Sequence, residues 1–135
     1  MNLRVPLVPG WVRWGLVVAV AGVIAYQSIL VVPSDHVVSQ FSMLDKWLHF
    51  VAYAGLGGAL AYALSGVDQS RAARAATVFA LAVGFGAGVE LVQGTLPYRT
   101  MALGDAVANG LGASLSLAWY LLEPRVEFVR VLAES

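Results

Sequence analysis

Four long apolar runs alternate with short polar segments along the chain. The first is Gly15 to Val32, stopped by Pro33, and the second is Trp47 to Leu64, closed by Ser65 and Gly66. The third is Ala75 to Gln93, followed by Gly94, and the fourth is Leu103 to Leu122, ended by Glu123 and Pro124. Each holds 18 to 20 residues, the length a helix needs to cross about 30 Å of hydrocarbon. Helix is the expected state, because backbone in lipid must satisfy its own hydrogen bonds, and a barrel would instead show short alternating segments. The pattern predicts an all-α fold: a polytopic membrane protein, one domain over residues 1–135, built as a bundle of four transmembrane helices. Arg4 and Arg13 ahead of the first run resemble the start of a secretory signal. The run is too long for one and no small-x-small cleavage site follows, so it reads as a span.

Composition sharpens this picture. Hydrophobic residues make up 59% of the 135 and charged residues only 12%, with a mean hydropathy of +0.76. Soluble domains carry about 25% charged residues, and a short chain cannot bury so much apolar surface in one small core. A free-standing soluble enzyme and a disordered chain are both excluded. Eight basic residues balance eight acidic ones, which leaves no basic field for nucleic acid. The chain has no cysteine, so disulfides and thiolate chemistry do not arise.

Lysine and arginine in the short flanks set an expected orientation. Arg4, Arg13, Arg71, Arg74, Arg125 and Arg130 fall on one side, and Lys46 and Arg99 on the other. The excess predicts a multi-pass protein of the cell membrane with both termini cytoplasmic. Trp11, Trp14, Trp47, Trp119 and Tyr120 lie near span ends, as interfacial anchors do. Residues 33–46 and 94–102 read as outer loops and 65–74 as an inner loop. The tail mixes apolar Val126, Phe128, Val129 and Leu132 with polar Arg125, Glu127, Arg130 and Glu134. It reads as a short helix on the inner surface or as a frayed end.

Ionisable groups within spans are costly, roughly 2.5–3.5 kcal/mol at a helix centre, and therefore informative. Asp45, Lys46 and His49 open the second span, Glu90 and Gln93 close the third, and Asp105 and Asn109 open the fourth. In a four-span chain these ends share one side, the extracytoplasmic one. Asp45, His49 and Tyr53 are four apart and stack on one helix face. Glu90 and Gln93 share a face, as do Asp105 and Asn109, whose stripe Gly112 and Ser116 extend. Turned inward, the stripes make a polar pocket roofed by the 94–102 loop. Small residues (Gly55, Gly58, Ala59 and Ala63; Gly84, Gly86 and Gly88; Gly110, Gly112, Ala113 and Ser114) let these three helices approach closely. The first span, whose strongly polar internal residue is Gln27, reads as a packing helix outside the pocket.

The segments Asp45-Lys46-Trp47-Leu48-His49-Phe50-Val51-Ala52-Tyr53, Glu90-Leu91-Val92-Gln93, Pro97-Tyr98-Arg99 and Asp105-Ala106-Val107-Ala108-Asn109-Gly110-Leu111-Gly112 resemble the VanZ-like membrane protein family. Its signature runs D-K-x-x-H-F-x-x-Y, E-x-x-Q, P-x-R and D-x-x-A-N-x-x-G, and the resemblance spans roughly residues 40–120. Tyr98 stands where a small residue is common, and Ser116 where a second glycine often closes the motif. The resemblance implies a small polytopic protein of the cell envelope, in a family named for antibiotic resistance toward teicoplanin. It implies a location and a residue set, not a reaction.

Plainer roles stand beside this one. Asp45 and Lys46 could cap the second helix, and His49 could be an amphipathic residue paired with Asp45. Glu90 could sit in a structural ion pair with Arg99 or Lys46, and Asp105 and Asn109 could only cross-link helices. His36 lies in a loop and carries no functional signal. Three functions are consistent with the pattern. In the first, Lys46, Arg99, Tyr53, Gln93 and Asn109 bind a phosphate-bearing membrane lipid, such as a lipid-linked envelope precursor, or a glycopeptide-related ligand. Asp45, His49, Glu90 and Asp105 then act as catalytic acid or base, or hold a divalent cation such as Mg2+ against the phosphate. The second is a proton-coupled transporter, which the lack of ionisable groups in the inner halves disfavours unless the chain forms a homo-oligomer. The third is a non-catalytic scaffold or binding protein.

Overall fold

The computed structural model describes residues 2–32, 42–99 and 102–132. Pro33, His36 and the rest of 33–41, two residues of the 94–102 loop and the end of the tail with Glu134 lie outside them. The protein is mostly helical. A strand, β1 (Leu3–Leu7), leads into α1 (Gly10–Ala25), which ends in a π turn over Tyr26–Leu30. Then come α2 (Ser42–Ala63), α3 (Arg71–Gln93), α4 (Leu103–Ser116), the single turn α5 (Trp119–Leu122), a 3-10 turn (Glu123–Arg125) and a second strand, β2 (Val126–Arg130).

Two helical stretches, Gly10–Leu30 and Arg71–Gln93, are long and apolar enough to cross a membrane among the described residues. The expected runs differ at their edges. α1 and α3 begin about one turn earlier than the apolar runs, because Arg13, Arg71 and Arg74 are helical, and α3 is started by Ser70, whose Oγ accepts from Ala73 N at 3.1 Å. α2 begins at Ser42, which puts Asp45 within its first turn.

The fourth run is not one helix. It breaks after Ser116, where Leu117 N bonds to Ser114 O and Ala118 N to Leu115 O, both at 3.1 Å, in the tight i to i+3 pattern that closes helices. The break turns Tyr120 inward, so that it is buried with the Arg74 guanidinium 5.5 Å above its ring. It is therefore not a surface anchor, and Trp119 packs on Phe128. Trp11, Trp14 and Trp47 are exposed.

The tail is neither a surface helix nor frayed over 126–130. It pairs in parallel with β1, with Leu3 opposite Val126 and Leu7 opposite Arg130. The alternation of half-buried Val126 and Phe128 with exposed Glu127 is the period-2 signal of a strand. An apolar-versus-polar count alone passes over it. Tyr62 of α2 holds this ribbon to the bundle, donating to Pro6 O at 2.7 Å and accepting from Val8 N at 3.2 Å.

Helix directions alternate. Lys46 meets Asp105, His49 meets Asn109 and Gly57 meets Ser116, so α2 and α4 run parallel. Arg13 meets the end of α2, and Arg74 meets Glu123 beyond α4, so α1 and α3 run against them. The tightest approach is backbone to backbone. A Cβ on Gly112 would overlap the Phe50 carbonyl and stand 3.0 Å from Ala54 N.

At the ribbon end, Arg13 is buried. It gives Nε to Val8 O at 2.9 Å and Nη1 to the carbonyls of Tyr62, Ala63 and Ser65, the uncapped end of α2. Arg74 forms a forked pair with Glu123, each side chain about one-tenth exposed, whereas Arg4 and Glu127 pair at 3.6 Å in solvent. Breaking a buried pair leaves an uncompensated charge.

Two predictions follow from this packing. Gly112→Ala should destabilise the detergent-solubilised protein by about 1–3 kcal/mol, the usual cost of overpacking. Gly110→Ala, where a Cβ meets nothing within 4 Å, should be neutral or stabilising through helix propensity. Thermal unfolding of both checks this. In the same assay Glu123→Gln should cost about 3 kcal/mol and Glu127→Gln nothing measurable.

Candidate functional site

The end of the bundle away from the ribbon gathers the polar residues. Asp45, Lys46, His49 and Tyr53 come from the first half of α2 and Glu90 and Gln93 from the last turn of α3. Asp105 and Asn109 come from the start of α4, and Tyr98 and Arg99 from the segment between. The close α2–α4 contact positions the centre. His49 Nδ1 lies 2.8 Å from Asn109 Oδ1. The other ring nitrogen, Nε2, is 3.8 Å from Asp45 Oδ2 and 3.9 Å from Asp105 Oδ2. Lys46 Nζ stands 3.9 Å from Asp105 Oδ1. The His49 and Asp105 side chains are mostly buried and that of Asp45 is half exposed.

Glu90 is only 4% exposed. It was expected to pair with Arg99 or Lys46, and it does neither among the described residues. Its Oε2 accepts from Ala102 N at 3.4 Å, and its Oε1 has no hydrogen-bond partner there. The carboxylate thus touches the start of α4, three positions before Asp105. Lys46 stands beside Asp105, and Arg99 is engaged elsewhere for a physical reason: helix ends leave carbonyls without partners. At the end of α1, Arg99 Nη2 donates to Gln27 O and Val31 O, each at 2.7 Å. Gln93 Nε2 donates to Ser28 O at 2.9 Å, and Tyr98 OH to Ile29 O. Three side chains thus satisfy four carbonyls around the π turn, a local irregularity frequent at functional sites.

These contacts bring α1 into the site. A cleft of about 470 Å³ is lined on α1 by Val23, Ile24, Gln27, Ser28 and Val31, and on α2 by Asp45, Leu48, His49, Ala52 and Tyr53, with Arg99 beside them. The expectation that the first helix stands outside the pocket is corrected here. Its Gln27 was legible as the strongly polar residue of an apolar helix, but its place in the cleft, and that of Ser28, were not. Tyr53 is fully buried, and its hydroxyl and Asn109 Nδ2 have no hydrogen-bond partner among the described residues. Gly86 of α3 makes room for both, since a Cβ there would sit 2.9 Å from Tyr53 Cε1 and 3.3 Å from Asn109 Nδ2.

The candidate residues therefore divide. Asp45, His49, Tyr53 and Arg99 face the cleft, Glu90, Asp105 and Asn109 come to this end from α3 and α4, and Lys46 of α2 stands beside Asp105. Gln93 ties α3 to α1. Chemically, the arrangement offers an imidazole held between an amide and two carboxylates beside an amphipathic cleft. This defines a class: a mostly helical protein with membrane-length apolar helices and a carboxylate–imidazole cluster at one end of its bundle. Set against protein-family models, curated proteins and solved structures, the chain matches none.

Gln93→Ala should loosen the π turn without touching the His49 cluster. Loss of one hydrogen bond of about 1 kcal/mol should raise amide hydrogen exchange over residues 26–31 about fivefold, read by mass spectrometry, with exchange over 45–53 unchanged.

Proposed function

We propose that the chain is a VanZ-like protein of the cell envelope. Its four helical runs cross the membrane, both termini are cytoplasmic, and its outward cleft binds a phosphate-bearing lipid. The observation that carries this reading is the make-up of the cleft. Val23, Ile24, Val31, Leu48 and Ala52 supply an apolar wall, while Arg99, His49, Gln27 and Ser28 supply hydrogen-bonding groups in the same space. An acyl or prenyl chain suits the wall, and a phosphate suits Arg99, which pairs with oxyanions through a planar fork of donors.

The membrane placement is supported by exposed apolar residues outside the cleft on every long helix: Leu16 and Val18 on α1, Leu44 and Val51 on α2, Phe79, Leu81 and Leu91 on α3, and Leu103, Leu111 and Leu115 on α4. Faces this apolar and continuous mark lipid or partner contact in a protein this small. The alternation of helix directions supports four crossings. The fourth crosses as α4 and α5 together, because α4 alone, 14 residues long, reaches only about 21 Å. The ribbon end, rich in arginine, faces the cytoplasm. Lys46 belongs to this reading through Asp105, as a neighbour of the cluster and not as a phosphate ligand.

The test is lipid retention. Protein purified in mild detergent and incubated with polyprenyl phosphate should retain it in native mass spectra. Arg99→Gln should lower retention about tenfold or more, the loss of a charge-assisted bond of roughly 1.5–3 kcal/mol. Gln93→Ala, which loosens the same helix end but keeps the charge, should retain lipid. Full retention by Arg99→Gln would remove the reading.

A further inference from the structure

Asp45, His49 and Asp105 each present one ligand atom to a common space, and the three atoms all lie within 4.8 Å of one another. At 3.8 and 3.9 Å from His49 Nε2, the carboxylate oxygens are beyond hydrogen-bond range. Ligands about 2.0–2.2 Å from a metal stand roughly 3–3.5 Å apart, so small side-chain rotations bring these three onto one ion.

Proton placement points the same way. Asn109 Oδ1 can only accept, so the 2.8 Å contact puts the proton on His49 Nδ1. In the neutral ring Nε2 then carries a lone pair that faces two carboxylates, an arrangement of acceptors that a cation resolves. Histidine ligands of metals usually donate their second N–H to an oxygen acceptor, and Asn109 provides one.

Glu90 is the independent observation. Its carboxylate is buried and 4% exposed, and Oε1 has no hydrogen-bond partner among the described residues. From α3 it reaches the start of α4, where its Oε2 accepts from Ala102 N three positions before Asp105.

We propose that Asp45, His49 and Asp105 bind a divalent transition-metal ion, with a coordination position open toward the cleft and Glu90 held beside it. An imidazole nitrogen in the set suits zinc-class ions, whereas magnesium and calcium prefer all-oxygen shells. Asp45 and His49 line the cleft, so a water or a phosphate oxygen reaches the open position from there. The ion site stands without the lipid reading.

The test uses the full chain in detergent, stripped with chelator and titrated with Zn2+ by calorimetry, with Co2+ absorption reporting the ligand set. The wild type should take up one ion per chain. His49→Gln and Asp45→Asn should each weaken binding about tenfold or more, and Asp68→Asn, exposed beyond the far end of α2, should not. Asp45 is half exposed, so its variant keeps the fold, which circular dichroism checks. Failure of the wild type to bind stoichiometrically overturns the proposal in favour of an imidazolium bridging two carboxylates. Wild-type affinity in both Asp45→Asn and His49→Gln overturns it in favour of an ion bound elsewhere. Lipid retained without Zn2+ uptake removes only the ion site, and Zn2+ uptake without lipid removes only the lipid reading.

Discussion

The approach of α2 and α4 at Gly112 governs the rest of the molecule. With no side chain at that position, the Phe50 carbonyl and the Ala54 amide come against the α4 backbone. The two helices run parallel there, so His49 and Asn109 meet one turn above the contact, and Lys46 and Asp105 meet one turn further. A larger residue would separate the helices and with them the two carboxylates that flank the imidazole. Dispersion contacts between close backbones are the main attraction available to helices in an apolar medium, and the polar cluster depends on them.

Two arginine contacts, of which that of Arg13 is buried, close the bundle at opposite ends. Arg13 takes up the last carbonyls of α2, and Arg99 those of α1. Each puts a cation at the negative end of a helix dipole. This capping fixes where α1 stands, and so creates the cleft between α1 and α2. It also explains why Glu90 has no cationic partner among the described residues: Arg99 already serves a helix end. The chemistry of the site follows from that allocation, which leaves carboxylates grouped around one imidazole.

Much of this was legible in residue order. The apolar runs matched helices at Gly10–Leu30 and Arg71–Gln93, and the four-residue spacing of Asp45, His49 and Tyr53 matched a shared face toward one cleft. Other parts were not legible. The ribbon depends on Leu3–Leu7 meeting Val126–Arg130, a pairing of the two chain ends that neither segment announces alone. The break after Ser116 exchanges continuous helix for the burial of Tyr120 beneath Arg74, an energy that exists only once α3 is in place.

The residue order by itself determined the apolar character of the helices, the end of the bundle at which ionisable groups gather, and which of them share a helix face. These depend on local periodicity and on the cost of polar groups in apolar surroundings, and both can be read along one segment. Tertiary structure alone decided the partners. Arg13 and Arg99 count equally as flanking charges in the sequence, yet each donates to a helix end of another element. Asp105 and His49, 56 positions apart, become neighbours because Gly112 lets two backbones touch. Pairing depends on distances between segments, and no segment contains them.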